Sequence, residues 1–144
     1  MLNSKRKGNI TEVECMLAFL KLGYNVLMPY GDCERYDFVV DIEGKLLKIQ
    51  VKTSSDSHIN DGYIVFKCAN KTTKEGQFVR HLYTKEQIDY FMTSYNGQCY
   101  LIPVEETSTE KRLRFTPPKN GQLKGVSFAK DYELEKMVKI IINS

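Results

Sequence analysis

The chain has 144 residues, of which 42% are hydrophobic and 27% charged, and we expect one globular domain over residues 1–144. The formal net charge of +3 is compatible with a polyanionic partner but is weak evidence by itself. Four cysteines without a CxxC pair, and two histidines, argue against a zinc site. No apolar run approaches the roughly 18 residues of a membrane span, so we expect a cytoplasmic protein with no membrane partner.

Apolar periodicity and turn residues predict an alternation of helices and strands. A helix that begins near Asn9 or Thr11 is expected to end at Gly23. The remaining predicted elements are strands at 25–28, 36–42, 46–53 and 63–68, a helix at 86–95, strands at 99–104 and 113–115, and a helix at 127–138. The polar stretch at 70–85 is expected to be a loop. This order predicts an α/β fold with a mixed central β-sheet flanked by helices.

The pair Glu43-Gly44 is a two-residue hairpin signal and sets the register of the strands on either side. In this register the apolar side chains of both strands form one continuous face. The same register sets Asp37 directly opposite Gln50, with Cβ atoms about 5 Å apart. Lys52 lies one step further along that face, and Asp41 lies nearer the turn as a weaker candidate. The hairpin therefore gathers a carboxylate, an amide and an ammonium group at one end.

The first helix carries a carboxylate inside its apolar arc. The predicted core-facing residues are Ile10, Val13, Met16, Leu17, Phe19 and Leu20. Glu12 falls within this arc, where a charge is costly unless a cation compensates it. Lys52 or a bound metal ion would do so. The ordinary alternative is a boundary glutamate whose head reaches water.

Four segments in order resemble the PD-(D/E)XK nuclease superfamily: KGNITE (7–12), GYNVLMP (23–29), RYDFVVD (35–41) and KIQVKT (48–53). The similarity is greatest to the branch of group I intron-encoded homing endonucleases. The family core is a helix followed by a hairpin with an aspartate on one strand and (D/E)-x-K on the next. Tyr36 stands where a proline is usual, and Gln50 replaces the second acid. The homing-endonuclease branch has a glutamine at this place, so the replacement resembles a family feature.

The resemblance implies a metal-dependent DNA endonuclease with a restriction-endonuclease-like core in αβββαβ order. Its catalytic residues would be Glu12, Asp37, Gln50 and Lys52. Asp37, Glu12, the Gln50 amide and the Val51 backbone carbonyl would hold Mg²⁺, for which Mn²⁺ could substitute. Lys52 would position the attacking water or stabilise developing negative charge. The implied partners are double-stranded DNA, at the nucleoid, and further copies of the chain in a homodimer or homotetramer.

Polar residues around this cluster are candidates for contacts with the nucleic acid. They are Lys5, Arg6, Lys7, Lys48, Ser54, Ser55, Lys71, Lys74 and Arg80. Each is equally compatible with an ordinary solvated side chain.

Three other functions stay open at this point. A Holliday-junction-resolvase-like, repair or defence nuclease would share the same core. A catalytically inactive nucleic-acid-binding module is favoured by Gln50, whereas the joint presence of Glu12, Asp37 and Lys52 argues against it. An interaction domain without nucleic acid fits the modest net charge but leaves the placement of Glu12 unexplained.

Overall fold

The computed structural model describes residues 2–144, and of Lys71 and Thr72 it describes the backbone alone. Two α-helices and nine strands follow in chain order: α1 (Ser4–Lys21), β1 (Asn25–Leu27), β2 (Phe38–Ile42), β3 (Lys45–Val51), β4 (Tyr63–Lys67), β5 (Ala69–Lys74), β6 (Gln77–Leu82), β7 (Tyr90–Tyr95), β8 (Gln98–Pro103), β9 (Glu110–Arg114) and α2 (Leu134–Ile142). Short 3-10 turns lie at Ile59–Asp61, Val104–Glu106 and Ala129–Tyr132.

Five strands form the central sheet in the order β1-β2-β3-β7-β8. Strands β3 and β7 are parallel and the other neighbours antiparallel, so the predicted mixed α/β sheet is confirmed. The hairpin register is also as predicted, with Phe38 opposite Ile49 and Ile42 opposite Lys45. The turn between them has positive φ at both Glu43 (51°) and Gly44 (89°), as a two-residue hairpin requires.

A separate hydrophobic core covers each face of the central sheet. Alternation along β7 sends Met92 into the core under α1 and α2, and Phe91 into the other core. The second core is closed by a two-stranded sheet of β4 and β9, which contributes Ile64, Phe66 and Leu113. The central sheet is therefore sandwiched between helices and a second, smaller sheet.

The helix predicted at 86–95 is wrong, because residues Tyr90–Tyr95 form strand β7. Aromatic and β-branched residues favour strands, and β7 lies inside the sheet between β3 and β8, with Phe91, Met92 and Thr93 buried. Only a short turn precedes it, in which the Ile88 N–H donates to the Thr84 carbonyl at 3.0 Å. The expected αβββαβ order therefore lacks its second helix, since within residues 2–144 no α-helix lies between α1 and α2.

The loop predicted at 70–85 is also wrong, because β5 and β6 pair over six residue positions as an antiparallel hairpin. Its turn, Glu75-Gly76, has positive φ at both residues (53° and 75°). This is the same turn chemistry that identifies the Glu43-Gly44 hairpin. Because the strands carry few apolar residues, alternation gives no strand signal there.

Helix α1 begins earlier than predicted. The side-chain oxygen of Asn3 accepts a hydrogen bond from the Arg6 N–H at 2.9 Å and caps the helix, so Lys5, Arg6 and Lys7 lie within its first turns. The predicted end is confirmed, with Gly23 at φ +90°.

The predicted core-facing arc of α1 is largely wrong. Ile10, Val13, Leu17 and Leu20 are 43%, 58%, 46% and 53% exposed. The buried residues of the helix are instead Thr11, Cys15 and Phe19. Periodicity identifies an apolar face, but it does not say whether the chain's own sheet or another molecule covers that face. The consequence is an apolar outer face on α1, formed by these four exposed aliphatic residues.

The C-terminal helix lies later than predicted. A 3-10 turn at Ala129–Tyr132 precedes α2, which buries Leu134, Met137, Val138 and Ile141. Within residues 2–144, neither helix combines the length and apolar character that crossing a membrane requires. Cys15, Cys68 and Cys99 are buried free thiols, as predicted.

Candidate active site

Asp37 closes the open end of the β2–β3 hairpin. Its backbone N–H donates to the Ile49 carbonyl at 2.8 Å, and its carboxylate accepts a hydrogen bond from the Val51 N–H, also at 2.8 Å. These two bonds flank Gln50, so the structure brings the carboxylate and the amide-bearing residue together as the hairpin register predicts. Asp37 is half-buried at this position.

Glu12 reaches the same end of the hairpin from α1. The Thr53 hydroxyl donates to the Thr11 hydroxyl at 3.5 Å, which fixes the first half of α1 against the residues that follow β3. Burial raises the pKa of the Glu12 carboxyl, and the negative charge of Asp37 raises it further. The two carboxyl groups are thus near enough for the charge of Asp37 to act on Glu12. Glu12 is thus a half-buried residue at the border of the helix's core-facing side.

Burial also raises the pKa of Asp37, while the Val51 N–H and the charge of Lys52 act in the opposite direction. Lys52 directly follows β3, and its backbone N–H donates to the Met92 carbonyl at 2.9 Å. Its ammonium lies 3.5 Å from the Asn70 side-chain oxygen and 5.2 Å from the centre of the Tyr83 ring. The site therefore holds two carboxyl groups with raised pKa values and the Lys52 ammonium, which Asn70 and Tyr83 hold in place.

This donor set fits a divalent metal ion. Burial raises the pKa of both carboxyls, and the charge of Asp37 raises that of Glu12 further, so a cation bound between them would favour the ionised form of both. Carboxylate, amide and carbonyl oxygens are hard ligands of the kind that Mg²⁺ prefers. Within residues 2–144, no group of three His, Cys, Asp or Glu side chains is placed to hold a metal. The remaining ligands would therefore have to come from Gln50, the Val51 carbonyl or water.

Comparisons with known proteins identify the family. Residues 2–135 match the family model described as PD-(D/E)XK endonuclease. The chain belongs to the PD-(D/E)XK endonuclease family. A bacterial homing endonuclease, I-Ssp6803I, has a similar solved structure with a TM-score of 0.79 and 27% sequence identity, over 99% of this chain and 96% of that one. No curated protein matches the chain. The protein is accordingly a nuclease, as its motifs predict.

The endonuclease surrounds Lys52 with residues that the sequence did not single out. The Asn70 amide donates to the Tyr83 hydroxyl at 3.3 Å, so both residues that contact Lys52 also contact each other. Arg35 stacks on Tyr83, with its guanidinium carbon 3.6 Å from the ring centre. No motif signals Asn70 or Tyr83, because both lie in the stretch that was expected to be a loop.

Several predicted nucleic-acid contacts of the endonuclease have roles within the fold. The Lys48 ammonium donates to the Glu86 carbonyl at 2.5 Å, and the Ser54 hydroxyl donates to the Ser94 carbonyl at 3.0 Å. Ser55 forms an antiparallel bridge with Val65. Asp41, the weaker candidate, accepts a bond from the Gly44 N–H at 2.8 Å and supports the hairpin turn.

The other predicted contacts of the endonuclease are available to solvent. Lys5, Arg6, Lys7, Lys74 and Arg80 are exposed, whereas the Lys71 side chain lies outside the described part of the chain. Those on α1 lie at the start of the helix that carries Glu12, and those on β5 and β6 lie on the hairpin that touches Lys52 through Asn70. One basic group thus lies at the start of α1 and the other on the β5–β6 hairpin.

Proposed function

We propose that this endonuclease hydrolyses phosphodiester bonds of double-stranded DNA, with Mg²⁺ as cofactor and Mn²⁺ as a substitute, in the manner of a homing endonuclease. The observation that carries the proposal is the cluster of Glu12, Asp37 and Lys52 around the end of β3. Burial raises the pKa of both acids, the charge of Asp37 raises that of Glu12 further, and the charge of Lys52 acts on Asp37. The similarity to a bacterial homing endonuclease supports DNA as the substrate.

Asp37 and Glu12 would be the charged metal ligands, with the Gln50 amide oxygen and the Val51 carbonyl as neutral ones. When bound, the metal supplies a Lewis acid for the phosphoryl oxygens and lowers the pKa of a bound water. The bond from the Val51 N–H fixes one oxygen of Asp37. Asp37 is therefore held in place before any ligand arrives, which preserves binding free energy for the transition state.

Lys52 would stabilise the negative charge that develops on the phosphoryl oxygens. Its ammonium is steered by the Asn70 oxygen and by the face of Tyr83. Neither of these two partners is an acid, although the Lys52 charge also acts on Asp37. The exposed Lys5, Arg6, Lys7, Lys74 and Arg80 would neutralise backbone phosphates on either side.

We also propose that the enzyme assembles as a homodimer, or as a tetramer built from such dimers. A chain with one site cuts one strand, and a two-fold axis would present two sites to the two antiparallel strands. The apolar outer face of α1 is the surface that a second copy would cover. Four half-exposed aliphatic side chains at helical spacing are costly in water and supply the apolar centre of such an interface.

A second candidate function is a nucleic-acid-binding module without catalysis, which Gln50 favours. An amide oxygen carries no full charge, so it holds a divalent cation less strongly than a carboxylate would. Such a module would bind DNA with salt-sensitive affinity and never cut it.

The test compares the wild type with Lys52→Ala and with Lys139→Ala, a matched removal of an exposed lysine on α2. Supercoiled plasmid and phage DNA are incubated with Mg²⁺, Mn²⁺ or EDTA, and nicked and linear products are quantified. We expect metal-dependent cleavage by the wild type and by Lys139→Ala. In Lys52→Ala, loss of the cation should lower the rate by about 10²–10³-fold.

Each outcome separates the two candidates. DNA binding by the wild type without cleavage, on these DNAs and on a pool of random duplexes, would favour the inactive module. Equal cleavage by the wild type and Lys52→Ala would show that the cluster around β3 is not the active site.

A further inference from the structure

The described side chains of the β5–β6 hairpin contribute to neither hydrophobic core, and the hairpin lies beside Lys52, the proposed catalytic lysine. We infer that this ribbon enters the major groove of the DNA next to the cleaved bond and reads base edges there. The inference rests on the proposed function and adds to it the element that determines sequence specificity. No motif assigns this role, since the stretch carries no recognisable signature.

The β5–β6 ribbon is exposed to solvent over most of its length. Every side chain from Thr73 to Leu82 is exposed, and Phe78 at the tip is 79% exposed. A hairpin with no covered face is only marginally stable in water. Six paired residues nevertheless keep regular register from Ala69 opposite Leu82 to Lys74 opposite Gln77. None of the described side chains from Thr73 to Leu82 is buried, and a regular ribbon exposed in this way is suited to insertion into another molecule.

The base of the ribbon is attached to the body of the protein next to Lys52. This base is fixed by Arg35, whose guanidinium donates to the Leu82 carbonyl at 3.1 Å and to the Gln87 side-chain oxygen at 2.9 Å. On β5, Asn70 contacts both Lys52 and Tyr83. The start of the ribbon therefore lies beside Lys52, so that DNA bound at Lys52 would lie close to the ribbon.

Strand alternation identifies which face meets the DNA. Asn70 faces Lys52, so the residues that share its face lie on the side of the active site. Every second residue of β5 from Asn70, together with its partner on β6, lies on this face, which therefore includes Lys74, Gln77 and Val79. Thr73 and Phe78 lie on the other face. In the major groove the Gln77 amide would recognise adenine and the Val79 methyl groups the thymine methyl, while Lys74 would neutralise a backbone phosphate.

Size and charge favour DNA over a protein partner. Six residue pairs at about 3.3 Å each span roughly 20 Å, or about six base pairs of duplex. The major groove is about 12 Å wide and admits a two-stranded ribbon. Between Ala69 and Leu82 the sequence has three basic residues and a single acidic one, Glu75 at the turn. A protein-binding arm would have no need of this excess of positive charge.

The experiment uses Lys52→Ala as a full-length binder that does not cut. It is challenged with a pool of randomised DNA duplexes, and bound sequences are determined. A second protein adds Gln77→Ala and Val79→Ala on the face toward the site, and the matched control adds Thr73→Ala on the opposite face. We expect the double change to reduce base preference by about tenfold at two or more neighbouring positions. The control should keep the parent's preference.

Three results would overturn the inference, and they differ in what else they overturn. If wild type cleaves DNA but the Gln77 and Val79 changes leave every base preference intact, the ribbon does not read bases and the proposed nuclease function stands. If wild type neither binds nor cleaves duplex DNA, both fail together. If the changes at Gln77 and Val79 altered the molecular mass of the protein in solution and left its base preference intact, the ribbon would be a protein-binding arm.

Discussion

Asp37 is held where its ionised form is costly. Burial raises its pKa above the ordinary value of 3.8, so the folded protein binds this proton more tightly than the unfolded chain does. Stability without metal therefore falls as pH rises from that value through the folded-state pKa. The cost is fully present above the folded-state pKa and absent well below 3.8. Ligand-binding sites commonly carry such a cost until the ligand is bound.

The first prediction follows for Asp37→Asn, which keeps an oxygen to accept the Val51 N–H. In EDTA at pH 7 to 8 we expect its melting temperature to exceed that of the wild type by about 2 °C. The gain should shrink as pH falls toward 3.8, and Mg²⁺ should stabilise the wild type more than the variant. Calorimetric melting across pH, with and without Mg²⁺, measures both. If Mg²⁺ stabilised both proteins equally, Asp37 would not be a ligand of the metal.

Gln50 gives a second prediction at this scale. In Gln50→Glu a third carboxylate would add charge to the site, so the Mg²⁺ concentration for half-maximal cleavage should fall by about tenfold. Without metal the same variant should be less stable than the wild type, since three acids then repel one another. Gln50→Ala should shift the Mg²⁺ requirement upward. A titration that is identical for all three proteins would show that residue 50 does not bind the metal.

The sequence could predict some residues of the candidate active site but not others. A two-residue turn fixes hairpin register, so the meeting of Asp37 and Gln50 was predictable from Glu43-Gly44 alone. Glu12 was predicted to join them, but from an apolar arc that the structure leaves in solvent. Asn70 and Tyr83 were not predictable, because their approach to Lys52 depends on how a separate hairpin docks.

At the scale of elements, Arg35 joins the hairpin core to the β5–β6 ribbon. Its guanidinium contacts two carbonyls of β6, those of His81 and Leu82, and stacks on Tyr83. It thereby couples the strand end that carries Asp37 to the ring beside Lys52. Without this residue the base of the ribbon would still be held by the contact of Asn70 with Lys52 and by Tyr83 packing on Phe91.

The prediction is that Arg35→Ala loosens the ribbon and leaves the sheet intact. Amide exchange in 77–82 should accelerate by at least about tenfold, while exchange in β7 stays slow, because local opening depends on local contacts. Cleavage should fall by about tenfold through misplacement of Lys52. Arg112→Ala on β9 is the matched control, as its guanidinium pairs with the exposed Glu110 at 3.6 Å. Uniformly faster exchange across both strands would indicate general destabilisation instead.

The same turn chemistry explains one success and one failure in predicting elements. Glu43-Gly44 and Glu75-Gly76 are the same dipeptide, and φ is positive at both residues of each turn. The first lies between apolar alternating strands and is readily identified as a hairpin. The second lies between polar strands, whose pairing is not driven by a buried face. Strand β7 was missed for the opposite reason, since a continuously buried strand and a short buried helix have similar apolar runs.

At the scale of the whole molecule, the outer face of α1 predicts assembly. In Leu17→Glu a charge would be placed in the middle of the proposed interface, so we expect the dissociation constant of the dimer to rise by tenfold or more. Light scattering after size-exclusion chromatography measures the mass, and a plasmid assay should show more nicked and less linear product. Ile140→Glu, at another exposed aliphatic residue that is 52% exposed, is the matched control and should leave the mass unchanged. Two variants with equal masses would exclude α1 from the interface.

The exposure of the β5–β6 ribbon has an evolutionary consequence. Substitutions at exposed positions usually change folding free energy by less than about 0.5 kcal/mol, and every residue from Thr73 to Leu82 is exposed. The acids and the lysine of the cluster lie instead in half-buried positions where replacement is constrained. A lineage could therefore change the ribbon's sequence, and with it the sites that are cut, without losing the scaffold or its chemistry. The same freedom would let a laboratory library randomise the ribbon in a protein that still folds.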